Sequence, residues 1–187
     1  RAGASVRVIA ANIDESVMAA LPSGVEVTRV GSACEMREAT MAQVIGADAL
    51  VMTAAVADFR PEAAQASKMK KDPTKTDAPT LRLVRNPDIL SEVGHSDIRP
   101  ALVVGFAAET GTDEEILANG ADKAARKGAD YIALNRVGAG VGFGDVPNDI
   151  RLLDVGGQIV GRYIGSKDEV AAGLVAQMAD FLDNLER

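Results

Sequence analysis

An α/β fold, a doubly wound and mostly parallel sheet with helices on both faces, is predicted from two observations. Residues 50–60, LVMTAAVADFR, followed by Pro61, carry an apolar run from Ala49 to Met52 that breaks into Thr53, Ala54 and Ala55 and then reaches Asp58. A central parallel strand reads that way where it ends at an open ligand crevice, because small side chains let a flat ring approach the backbone. The second observation is compositional. Of the 187 residues 47% are hydrophobic and only 3% aromatic, an aliphatic interior that suits a layered protein. The length supports one domain with a sizeable core, and neither a linker nor an internal repeat divides it.

The elements follow in order. Arg1 to Ala11, RAGASVRVIAA, begins like the end of a helix, with Gly3 as its C-cap, and runs into a strand over Ser5–Ala10. A doubly wound domain rarely opens so. The start therefore predicts that a strand, its following helix and the glycine-rich phosphate turn between them lie outside residues 1–187. Val25–Val30 reads as a second strand, and Asn12–Gly24 as helix or loop punctuated by Pro22 and Gly24. Over Cys34–Ile45, Met36, Met41, Val44 and Ile45 share one helical face. Ala49–Thr53 is the next strand. Phe59–Pro79 is poor in apolar residues and rich in Lys, Asp, Pro and Thr, an exposed excursion that Thr80–Val84 closes as a hairpin arm. Asn86-Pro87-Asp88 caps a short helix reaching Val93, with proline at its start, and Leu102–Phe106 is another buried strand.

Thr110–Lys127 reads as a long helix with Asp113, Glu114 and Glu115 early and Lys123, Arg126 and Lys127 late, an order that complements the helix macrodipole. Gly128 ends it, Tyr131–Leu134 is a strand, and Gly138–Asn148 is a glycine loop. Ile150–Asp154 and Ile159–Tyr163 form a hairpin across Gly156-Gly157. Ser166 caps the last helix, to Leu185, with Glu169 completing a capping box.

Charge narrows the function. Twenty basic against 27 acidic residues leave a net charge of −7, which is wrong for non-specific nucleic-acid binding. A single cysteine, Cys34, excludes an internal disulfide and fits a reducing compartment. No apolar run approaches the roughly 18–20 residues that span a bilayer. The chain reads as soluble and cytoplasmic, with no membrane and no nucleic-acid partner.

Within this acidic chain a few cations cluster. Lys68, Lys70 and Lys71 (KMKK) and Lys75 lie in the polar excursion; a solvated loop is the plain alternative, yet an anionic substrate needs a local positive source and this is the densest. Crevice and cations together suggest a nucleoside triphosphate site. Asp58 can accept from ribose hydroxyls or hold Mg²⁺ through phosphate-bound water, or be an ordinary turn aspartate. Lys123 and Lys127, four apart, share a helix face and can grip a polyphosphate, or simply complement the helix end. Asn86 can cap the helix, while the amides of Asp88, Ile89 and Leu90 offer a phosphate seat. Phe106 ends a buried strand and can stack on a base or fill core. GAGVGFG (138–144) is no dinucleotide fingerprint, since Phe143 occupies the third glycine's place and a strand follows. His95 and Cys34 have no partner pattern for catalysis or metal binding.

AAVADFRP, KMKK, RNPDIL, VGFAAET and the lysine pair before a strand ending in Asn135 occur in one order. Together they resemble the phosphopantothenoylcysteine synthetase (phosphopantothenate–cysteine ligase) domain of bacterial coenzyme A biosynthesis, over residues 1 to about 185. The resemblance implies a Rossmann-like fold and a ligase, using CTP and Mg²⁺, that joins 4′-phosphopantothenate to cysteine through an acyl-cytidylate. It implies a CTP site of Ala54, Ala55, Asp58, Lys68, Pro87, Asp88, Ile89, Leu90, Phe106, Lys123 and Lys127. Lys68 would also assist acyl transfer. It implies a homodimer whose arm, residues 60–84, completes the neighbouring site, and an FMN-dependent decarboxylase fused elsewhere in the protein. The family's glycine-rich entry segment and Asn-containing loop have no counterpart within 1–187, so the stretch reads as a single ligase domain lacking them. Metal ligands are not assigned. Two rival readings remain: a nicotinamide-dependent oxidoreductase, which predicts a glycine fingerprint not found within 1–187, and a non-catalytic nucleotide-binding dimerisation module.

Overall fold

The computed structural model describes residues 3–63, 67, 78, 80–137 and 147–185. β1 (Arg7–Ala11) and β2 (Glu26–Val30) pair in parallel. Between them α1 (Glu15–Ala19) starts on the Asp14 carboxylate, which accepts from the Ser16 amide at 2.8 Å, so Asn12–Gly24 holds a short helix as well as loop. α2 (Ala33–Gln43) starts on Ser32, whose hydroxyl accepts from the Glu35 amide at 3.2 Å. Met36 and Val44 are buried as their spacing predicts. Ile45, expected on the same face, is 62% exposed, because the helix ends at Gln43 and the following turn swings the side chain outward.

The main sheet has the order β3–β6–β7–β8–β9. β3 (Ala49–Met52), β6 (Leu102–Glu109) and β7 (Tyr131–Arg136) run parallel, while β8 (Asn148–Asp154) and β9 (Ile159–Gly165) are antiparallel. The α/β class stands and the sheet is mixed. Parallel pairing stops at β7, because β8 runs antiparallel to it, and the tight turn through Gly156-Gly157 returns β9 antiparallel to β8. β4 (Phe59–Pro61) and β5 (Leu83–Arg85) form a separate antiparallel ribbon at the base of the polar excursion. The tip of that excursion, with Lys68, Lys70, Lys71 and Lys75, lies outside the described residues, as does most of the 138–148 loop.

Helices cover both faces of the main sheet. On one face α3 (Ile89–Gly94) and α4 (Asp113–Lys127) contribute Leu90, Val93, Ile116 and Ala124 to a core with Val103, Ala107, Ile132, Leu134 and Leu153, joined by Val44 from beyond α2. On the other, α5 (Lys167–Leu185) lays Val170 and Leu174 against Leu102, Val104, Tyr131, Ala133, Ile150 and Leu152. Alternate residues of β6 thus enter opposite cores, the period-two pattern of a strand buried on both sides. The Tyr131 and Phe181 rings meet edge-on at 5.4 Å. α4 opens on a capping box, Thr112 with Glu115, and ends on Gly128 in the left-handed region (φ 62°). α5 opens on the Ser166–Glu169 box that its sequence predicts: the Ser166 amide donates to the Glu169 carboxylate at 2.8 Å. No helix among the described residues is long and apolar enough to cross a membrane.

Candidate functional site

The parallel strands β3, β6 and β7 end at one edge, where open α/β sheets bind ligands. Beyond Met52 the chain leaves β3 through Thr53, Ala54 and Ala55 and reaches Asp58, which is exposed. Met52 pairs with Gly105, so Phe106 lies next to the start of this turn.

Asn86 fixes the turn from the far side. Its backbone amide donates to the Asp58 carbonyl at 2.8 Å and its side-chain amide donates to the Ala57 carbonyl at 2.7 Å. Its own side-chain oxygen accepts from Arg60 at 3.1 Å, and the same guanidinium donates to the Arg85 carbonyl at 2.7 Å. The expectation that Asn86 caps the helix is corrected: the N-cap of α3 is Asp88, whose carboxylate accepts from the Ser91 amide at 3.2 Å. Standing before Pro87, Asn86 is held to extended backbone, outside the helix, and its side chain turns back onto residue 57. Pro87 precedes the helix too. Ile89 and Leu90 are buried, so their side chains build core and only backbone of this segment can meet a ligand. Asn86→Ala is expected to cost about 1 kcal/mol, the net worth of the side-chain hydrogen bonds that link Ala57 and Arg60. Urea unfolding checks this; an unchanged midpoint would contradict it.

The two helix lysines do share a face, and both are already paired. Lys127 Nζ binds the Asp88 carboxylate, and Lys123 Nζ donates to Glu109 Oε1 at 3.0 Å. Burial alone would raise the Asp88 pKa; its hydrogen bonds to Lys127 and the Ser91 amide outweigh that and hold it below the ordinary aspartate range. The contribution of this group to stability is therefore complete above that range and is lost as acid protonates the carboxylate. Glu109 is the last residue of β6, so it stands at the same edge. A continuous set of contacts thus links residues 57 and 58 through Asn86 and Asp88 to Lys127, with Lys123 and Glu109 one helical turn away.

Phe106 stands apart from this set. Its ring packs against the core beneath α5, on the opposite face of the sheet from α4. It borders the edge without facing the lysines. Lys68 lies outside the described residues. Among the described residues no group of three or more His, Cys, Asp or Glu could hold a metal ion, so they form no metal cage of their own.

Two carboxylates, Asp88 and Glu109, went unread as lysine partners in the sequence. So did a charged lattice by the α4 start: Asp113 accepts from Arg151 at 2.8 Å and from Arg136 at 3.2 Å, and Asp149 accepts from Arg162 at 2.6 Å. The Arg151 and Arg162 hydrogen bonds hold Asp113 and Asp149, respectively, below the usual range. β-strand alternation could have placed Arg151 and Arg162 together, since they are register partners. Their link to a helix start needed the fold.

Residues 1–182 match the family described as the DNA/pantothenate metabolism flavoprotein C-terminal domain. The coenzyme A biosynthesis bifunctional protein CoaBC of Vibrio parahaemolyticus is 38% identical over 181 residues, covering 96% of this chain and 43% of that protein. CoaBC of Mycolicibacterium smegmatis is 37% identical, covering 96% and 44%. The chain thus spans less than half the length of these relatives. The crystal structure of the C-terminal domain of CoaBC superposes with a TM-score of 0.70 at 28% identity, over 97% of this chain and 78% of that one.

Proposed function

The chain belongs to the DNA/pantothenate metabolism flavoprotein C-terminal domain family, and from that premise we propose that it is the phosphopantothenate–cysteine ligase part of a coenzyme A biosynthesis protein, driven by CTP. The observation that carries the proposal is the pair Lys123 and Lys127, which share a face of α4 and are ion-paired with Glu109, at the end of β6, and with Asp88, two residues beyond the Asn86 that braces residues 57 and 58. An acidic chain that collects ammonium groups at a ligand crevice is built for an anion.

In this reading the carboxylate oxygen of 4′-phosphopantothenate bonds to the α-phosphorus of CTP as the bond to pyrophosphate breaks. The cysteine amine then attacks the acyl-cytidylate carbon, loses its proton to solvent, and CMP leaves with the broken C–O bond. Activation is necessary because a bare carboxylate is a poor acceptor for an amine. Ala54 and Ala55 leave room for the nucleoside, and Asp58 accepts from its hydroxyls. The backbone of Asn86 to Leu90 lines the crevice. Lys123 and Lys127 hold the phosphates, and Lys68 stabilises the negative charge that develops on the acyl oxygen during amide formation. Mg²⁺ on the phosphates would neutralise their charge. Phe106 borders the edge. A second copy would supply its arm, residues 60–84, to this site, and the chemistry belongs in the cytoplasm.

Thermal shift with CTP, ATP and NAD tests the reading. A larger stabilisation by CTP than by ATP or NAD is expected; preference for NAD would favour a nicotinamide enzyme, and no response to any would sink both. Asp58→Ala is expected to weaken CTP binding roughly tenfold, the worth of one charge-assisted hydrogen bond. Unchanged affinity by calorimetry would remove Asp58 from the site.

A further inference from the structure

Both lysines assigned to the phosphates are engaged by carboxylates of the chain itself. Glu109 and Lys123 are mostly withdrawn from water, with side chains 18% and 29% exposed, and Lys127 is 17% exposed beside the half-exposed Asp88. Partly desolvated ion pairs of this kind resist screening more than surface pairs do. The Asp88 carboxylate has a second anchor, and the Glu109 backbone is held by its strand. Asp88 caps α3, and Glu109 is fixed by β6, where its carbonyl accepts from the Val137 amide at 3.0 Å. The Asp88 carboxylate and the Glu109 backbone are therefore held in place, while the long lysine side chains can change partner.

We propose that Asp88 and Glu109 are internal counterions: they position Lys127 and Lys123 while the site is empty, yield them to phosphates on binding, and take them back as pyrophosphate leaves. The inference rests on the nucleotide reading above. An ammonium has three donors and can touch both groups, but a carboxylate and a phosphate around one ammonium repel each other. A polyphosphate must therefore compete for each lysine, and the competition speeds its departure. Asp88 and Glu109 are positioning residues in this scheme, acting through the lysines.

Glu109→Gln keeps the shape and removes the charge. Calorimetry with CTP and separately with inorganic pyrophosphate is expected to give roughly tenfold tighter binding of both to the variant. In the background Lys123→Gln the same change is expected to gain little. Asp88→Asn, which retains a good N-cap, should tighten pyrophosphate in the same sense and serves as an independent variant. A folded Glu109→Gln protein, verified by circular dichroism, that binds pyrophosphate no tighter than the unmodified chain would overturn the proposal. So would a gain that persists without Lys123. If the unmodified chain binds neither CTP nor pyrophosphate, the nucleotide reading fails first; if it binds both and neither variant gains, the counterion role alone fails.

Discussion

Gly94→Ala is expected to lower stability by about 3 kcal/mol or more and to weaken CTP binding with it. A Cβ at this position would lie 2.0 Å from the Lys127 carbonyl oxygen, and 2.8 and 2.9 Å from the carbonyl oxygen and carbon of Gly128. All three atoms are backbone, so no rotamer change relieves the clash. Gly128 returns the constraint, since its own Cβ would meet the Gly94 carbonyl oxygen at 2.8 Å, and its φ of 62° favours glycine in any case. The end of α3 therefore sits directly on the end of α4. This contact fixes the backbone of Lys127 relative to Asp88 at the start of α3. Forcing the helices apart would move Lys127 away from Asp88 and, in the proposed reading, from the phosphates. Urea unfolding and CTP calorimetry on the same preparation check both effects. A stable variant with unchanged affinity would show that the helix contact does not hold the lysine.

The double substitution Lys123→Gln with Lys127→Gln is expected to reduce CTP affinity at least about a hundredfold. Each lysine supplies one charge-assisted hydrogen bond, worth about 1.5–3 kcal/mol. Each also neutralises a carboxylate. Removing both ammonium groups also removes the positive charge that draws a polyphosphate to this edge. The sign is opposite to that expected for Glu109→Gln, which makes the two experiments informative as a pair. Equilibrium binding with CTP decides it; a change smaller than about threefold would remove the helix lysines from the phosphate site.

Much of the fold was legible because local rules decided it. Alternation and apolar runs located β3, β6 and β7, and the Ser166–Glu169 pair located the start of α5 from four residues. Strand ends were less readable. β6 runs on to Glu109 and β7 to Arg136 because pairing between them continues past the last large apolar residue, and a ladder partner does not show in the residue itself. The cap of α3 was misread for a related reason. Asn86 and Asp88 are both good capping residues, and only the position of residue 57 decides which of them turns back. At the candidate site, the sequence offered the lysines and the small residues after β3. It did not offer their counterions. Lys127 and Asp88 lie 39 positions apart, and Lys123 and Glu109 14, so neither pair follows from helix or strand spacing. Phe106 lies within β6 and not at its end, and its face is set by strand phase, which aims the ring under α5.

Crystals soaked with CTP and Mg²⁺ would test the central claim most directly. The triphosphate is expected between the Nζ atoms of Lys123 and Lys127, with the nucleoside over the turn 53–58 and both lysines drawn from Asp88 and Glu109. Nucleotide density at the opposite end of the strands, or on the outer face of β9, would contradict the account.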